Sequence, residues 1–173
     1  GAFLSSLTKR DMDSFFRLCS DTVQGAKSLF AALSNFMDQI SEEEKALVPK
    51  NYVYLIVEYP GVEEDLKWIK GFAEDGVEGE FPGMFTLEPV ILDRGMTLGD
   101  ITEKLNSMDL GAEDAIVPVL PSNQVIFLVK DLVRRSPEVG DRPGLVFVDP
   151  FLSTLQGVTQ GLSPEEMRGW RWT

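Results

Sequence analysis

The sequence predicts an α+β fold: a mixed β-sheet of roughly five strands covered by helices, preceded by a helical segment and followed by a docking tail. An α/β layout is the alternative. Three observations carry the prediction. Apolar residues recur at helical spacing through the first 40 residues. A near-continuous apolar run then opens an alternation of strand-like and helix-like segments. Beyond residue 115, apolar runs follow one another across short links rich in turn residues.

The N-terminal segment reads as helix. Phe15, Leu18, Cys19, Val23, Ala26, Leu29, Phe30, Leu33, Phe36, Met37 and Ile40 fall three and four residues apart, on one broad stripe. Thr8 or Ser6 can cap its start. Gly25 lies off the stripe and marks where the helix would break in two. Ser41 with Glu44 forms a capping box, and Pro49 ends the short helix that it starts.

"NYVYLIVEYPG" is the clearest strand. Tyr52 to Val57 show almost no polar alternation, as in a strand covered on both faces. Pro60 and Gly61 turn the chain into "VEEDLKWIKGF", a helix with Val62, Leu66 and Ile69 on one side. Its first turn carries Glu63, Glu64 and Asp65, which suit the positive end of the helix dipole. An acidic, glycine-rich loop follows. "MFTLEPVIL" reads as a strand whose Pro89 confines it to a sheet edge or a bulge. In "MTLGDITEKLNSM", Thr97 caps a helix with Asp100 three residues on.

Three further strands are expected in "AIVPVL", "QVIFLVKDLV" and "GLVFVDP". The short link Pro121-Ser122-Asn123 predicts an antiparallel hairpin from the first two. The residues from Phe151 show little pattern until Ser163, Pro164 and Glu166 supply a cap, a first-turn proline and a box partner. The chain thus divides into a helical segment (1–50), a core with the mixed sheet (51–150) and a tail with a short capped helix (151–173).

Composition narrows the chemistry. The chain has 173 residues, 43% hydrophobic and 25% charged, which suits a folded protein. No apolar run approaches the ~18 residues that cross a bilayer, so neither membrane insertion nor a signal peptide is expected. The single cysteine, Cys19, rules out an internal disulfide and predicts an intracellular, cytoplasmic setting. On the apolar stripe, Cys19 reads as a core residue.

Net charge is −12. Residues 51–115 carry four Lys/Arg against fifteen Asp/Glu, and so hold nearly all of the excess acid. That disfavours nucleic acid, whose phosphates need a basic footprint.

There is no histidine. This removes Ser-His-Asp and Cys-His nucleophile systems and the side chain best placed for proton transfer near neutral pH. With one cysteine besides, zinc, haem and iron–sulfur sites lack ligands. No cofactor, metal site or catalytic residue is assigned. Carboxylates cluster at Glu63-Glu64-Asp65, at Asp75, Glu78 and Glu80, and at Glu113-Asp114, all read as solvated groups. Neither G-x-G-x-x-G nor G-x-x-x-x-G-K-[ST] occurs, so Asp149, at the end of an apolar run, lacks the phosphate loop that would make it a magnesium ligand. Arg134, Arg135 and Arg142 read as a solvated basic loop.

The last six residues, "RGWRWT", hold two of the three tryptophans. Trp and Arg are the residues most enriched at interface hot spots. The expectation is therefore a non-catalytic protein-binding or structural subunit of an assembly. It would dock on a protein partner or a second copy through Arg168, Trp170, Arg171 and Trp172, with the acidic middle third as a second surface. The alternative is a histidine-independent enzyme or a small-ligand-binding domain built on a carboxylate pair.

Overall fold

The computed structural model describes residues 22–77, 81–146 and 152–167. Helix α1 (Thr22–Gln39) and the single turn α2 (Glu42–Lys45) lead into strand β1 (Asn51–Val57). Helix α3 (Val62–Glu74) and the short strands β2 (Gly76–Val77) and β3 (Phe81–Pro82) precede β4 (Thr86–Leu92). Then come α4 (Leu98–Asn106), β5 (Asp114–Val119), α5 (Ser122–Arg135) and β6 (Gly144–Leu145). Helices α6 (Leu152–Gly161) and α7 (Pro164–Met167) follow.

The described residues form a four-stranded sheet in the order β4-β1-β5-β6, with every neighbouring pair parallel. A separate antiparallel ribbon joins β2 to β3. Helices plus sheet agree with the expected fold class. The strand direction and one element do not agree with the expected hairpin.

"QVIFLVKDLV" lies inside α5 and is no strand. Its β-branched residues suit a pleated surface only where a neighbouring strand is available. Val125, Leu128, Val129 and Leu132 are buried at spacings of three and four, while Phe127, Lys130 and Arg134 face outward. Pro121, in extended backbone (φ −58°, ψ 147°), stands at the N-cap and starts the helix instead of turning a hairpin.

β1 is covered on both faces, as its composition predicts. Strand side chains alternate between faces. Tyr52, Tyr54 and Ile56 enter one core with Ala26, Leu29 and Phe30 of α1 and Leu66 and Ile69 of α3. Val53 and Leu55 enter a second core with Ile101 of α4, Val125 and Leu128 of α5, and Val158 of α6. The first core centres on three rings. Phe30 and Phe85 both stand beside Tyr52, at centroid distances of 5.6 and 5.3 Å and nearly edge-on.

Several local readings hold. Ser41 and Glu44 make the reciprocal capping box, as do Thr97 and Asp100. β4, with Pro89, lies at the sheet edge. Helix α1 runs through Gly25 without a break, and Phe36 stays 47% exposed although it fits the apolar spacing. Of the expected strand "GLVFVDP", β6 takes only Gly144–Leu145, and 147–150 lie outside the described residues.

The patternless stretch after Phe151 contains helix α6. Its two glycines are the reason it folds as it does. A Cβ on Gly161 would come 2.4 Å from Ile126 Cδ1, and one on Gly157 would come 3.1 Å from Ser122 Oγ. The bare backbone at both positions lets α6 lie close against α5. Ser163 and Glu166 then bond each other's backbone N–H, and these two bonds start α7.

Candidate functional site

The strand order creates a crevice. The connection from β1 through α3 leads to β4 on one side, whereas the next, through α4, crosses back past β1 to β5. Right-handed connections running in opposite directions lie on opposite faces of a sheet. The two cores show that division, with α3 on one face and α4 and α5 on the other. At such a reversal the loops after the strands part, and ligands of parallel α/β sheets sit outside the carboxyl ends of the strands there.

A cavity of about 420 Å³ opens at that position. Its lining comes from the ends of β1 (Val57 to Pro60) and β4 (Leu92 to Arg94), from Met96 and Ile101 beside α4, and from Pro121 and Gln124 at the start of α5. Most of this wall is apolar.

The polar groups have distinct roles. Glu58 extends the ladder one residue beyond β1, its N–H donating to Leu92 O at 2.8 Å. Since Val57 pairs with Leu92, the next residues, Glu58 and Asp93, stand at corresponding ends of adjacent strands. Both are exposed at the rim. Asp93 starts a tight turn, accepting from Gly95 N–H through Oδ1 at 2.8 Å and from Met96 N–H through its carbonyl at 3.0 Å. That turn aims Arg94 back over the sheet end, where its Nε donates to Glu58 O at 3.1 Å. Among the described residues no carboxylate pairs with the Arg94 guanidinium. The Oε1 of Gln124 is buried and has no partner among the described residues.

Beneath the crevice lies a buried polar knot. The Tyr59 hydroxyl donates to Asp65 Oδ2 at 2.5 Å, and Asp65 is 2% exposed. Burial, and then the hydrogen bond to Asp65, push the Tyr59 phenol well above its usual pKa. Burial, and then the Asp65 charge, do the same to Tyr54, whose hydroxyl has no partner among the described residues.

Three helices begin around the rim, and their first turns differ. α3 starts after Gly61, in left-handed backbone (φ 91°), and its first turn carries Glu63, Glu64 and Asp65. The α4 start is occupied by Thr97 and Asp100, and this bonding holds the Asp100 carboxyl below its usual pKa. α5 has no acidic residue in its first turn and no side-chain cap.

The carboxylates singled out from sequence do not meet at the cavity. Glu63, Glu64, Asp75 and Glu113 are exposed, and Glu78 and Glu80 lie outside the described residues. Asp114 sits at the opposite, amino end of the sheet, accepting from Asn51 Nδ2 and Gly111 N–H. Among the described residues no three acidic, histidine or cysteine side chains are grouped to hold a metal ion. Arg134 and Arg135 each pair with Asp131 of their own helix at 2.7 Å, and Arg142 is folded onto the carbonyls of Ser136 and Pro137. Arg134 and Arg135 are exposed, as expected, though on a helix and not in a loop, and Arg142 is buried. Cys19, Asp149, Arg168, Trp170, Arg171 and Trp172 lie outside the described residues.

Glu58 and Asp93, the pair that does converge, are absent from the sequence reading. A signal existed. Each is the first acidic residue after a clear apolar run, "NYVYLIV" and "PVIL". A polar residue there becomes informative only once the strands are known to be parallel.

Among the described residues no helix is long and apolar enough to cross a membrane. No protein-family model, no curated protein and no solved structure matches the chain.

Proposed function

We propose that the chain is a small-ligand-binding α/β domain whose site is the crevice at the carboxyl ends of β1, β4 and β5. The observation that carries this is the cavity of about 420 Å³, whose apolar wall is interrupted by Glu58, Asp93, Arg94 and Gln124. A mostly apolar pocket with a few convergent polar groups, at the reversal point of a parallel sheet, is the usual form of such a site. Its wall holds no histidine or cysteine, which favours binding over catalysis.

Methyl-resolved NMR with a collection of small fragments tests the proposal. Fragments should shift the Met96 and Ile101 methyl signals. A Met96→Trp variant, which fills the crevice, should lose the Ile101 response while keeping its thermal midpoint. A collection that leaves both methyls untouched in the parent protein sinks the ligand reading.

A second reading, docking in a protein assembly through Arg168, Trp170, Arg171 and Trp172, is favoured by one observation. The Ser163–Glu166 box starts a helix immediately before these residues. Removing residues 168–173 should then lower the mass seen by light scattering or end capture of a partner. An unchanged mass together with unchanged partner binding would count against it.

A further inference from the structure

We infer that the crevice receives the cationic amine of a small amphiphile, with the apolar body of that ligand lying against Val57, Leu92, Met96 and Ile101. This rests on the ligand-binding reading of the same site. Its first support is charge. Glu58 and Asp93 stand at corresponding ends of adjacent strands and line the cavity together, against the single cation of Arg94. The balance of the wall is one negative charge.

Placement of that charge matters more than its count. Arg94 is tethered through Nε to the Glu58 carbonyl, and one Asp93 oxygen is held by Gly95 N–H. The Glu58 carboxylate is in no ion pair among the described residues, and Asp93 keeps its second oxygen. Acceptors are therefore available on the β1–β4 side of the rim. Gln124 lines the cavity opposite them, from the start of α5.

The second support is what two of the three neighbouring helices refuse. Parallel α/β sheets often bind anions at this edge, using the positive ends of helices. Here Glu63, Glu64 and Asp65 occupy the first turn of α3, and Asp100 fills the start of α4. Only α5 leaves its start open; at α3 and α4 these carboxylates neutralise the helix ends and disfavour a phosphate. The same groups attract a cation. The apolar wall requires the rest of the ligand to be hydrocarbon, because a bare metal ion would leave that surface wet.

Three probes of matched size separate the possibilities: 2-phenylethylamine, 2-phenylethanol and 3-phenylpropionate. Each is titrated while the Met96 and Ile101 methyl signals are followed by NMR. The amine should bind at least ~10-fold more tightly than the alcohol, about one charge-assisted hydrogen bond's worth, and the carboxylate should be weakest. Glu58→Gln, alone or with Asp93→Asn, should erase the advantage of the amine over the alcohol. Both substitutions are at exposed positions, and in Asp93→Asn the side-chain amide oxygen can still accept from Gly95 N–H. If the carboxylate binds as tightly as the amine, or the alcohol matches it, the amine assignment is overturned while the ligand site stands. If no probe moves either methyl, the site itself is overturned.

Discussion

Raising the pH from about 10 to about 12 should remove roughly 2 kcal/mol of folding stability through Tyr54 alone, with a slope that climbs to about 1.4 kcal/mol per pH unit. The sign follows from the protons. An unfolded tyrosine ionises near its ordinary value of about 10. In the fold, Tyr54 is 0% exposed and faces the Asp65 charge, so it keeps its proton to far higher pH. Above pH ~10 the unfolded chain binds fewer protons than the native one, and stability falls as pH rises. Below the ordinary value the contribution is fully present. Tyr59 shifts in the same direction, but its ring also lines the crevice, and solvent screening reduces its share. Urea denaturation at stepped alkaline pH measures the slope. In Tyr54→Phe the slope should drop by the share of Tyr54. At pH 7 the same variant should be as stable as the parent or slightly more so, because it deletes a buried hydroxyl that has no partner among the described residues. A parent protein whose stability is flat between pH 10 and 12 refutes the burial of these two phenols.

Gly83→Ala should cost about 3 kcal/mol or more, at the upper end of what overpacking a rigid site does. A Cβ on Gly83 would lie 2.0 Å from the Glu74 carbonyl oxygen, 2.3 Å from its carbon and 2.7 Å from Asp75 N. All three are backbone atoms at the end of α3, so no side chain can swing away. The close approach is held on both sides. Pro82 O accepts from Ser34 Oγ on α1, and Phe85 N–H donates to Ala73 O of α3. Relieving the clash would shift Phe85, a member of the ring cluster with Tyr52 and Phe30. Gly111→Ala is the matched control, since a Cβ there meets nothing within 4 Å. Denaturation midpoints of the two variants should differ widely. Equal midpoints would mean that the loop stands off from α3.

Much of the local structure was legible in the sequence, and the reason is its short range. The boxes at Ser41/Glu44, Thr97/Asp100 and Ser163/Glu166 are each closed within four residues by hydrogen bonds between their own atoms. Pro89 announces an edge because it lacks a donor wherever it is placed. The unbroken apolar run of β1 likewise states that both its faces are covered. α5 escaped because its valines, isoleucine and phenylalanine suit either period, and only the packing partners decide between them. α6 escaped because its glycines look like breakers. Their use, admitting Ile126 and Ser122, is a property of the helix beside it.

The candidate site belongs almost wholly to the second kind. By itself, the sequence determined which segments are apolar, where several helices start, and that neither histidine nor a phosphate loop is available for chemistry. The tertiary structure decided that the strands run parallel and that the chain reverses direction at β1. That brings Glu58, Asp93 and Gln124 around one cavity from positions 35 and 31 residues apart along the chain. The physical reason is the length over which each force is written. A capping bond needs only its own turn, whereas a strand's direction is set by ladder bonds and two cores that distant segments must complete together.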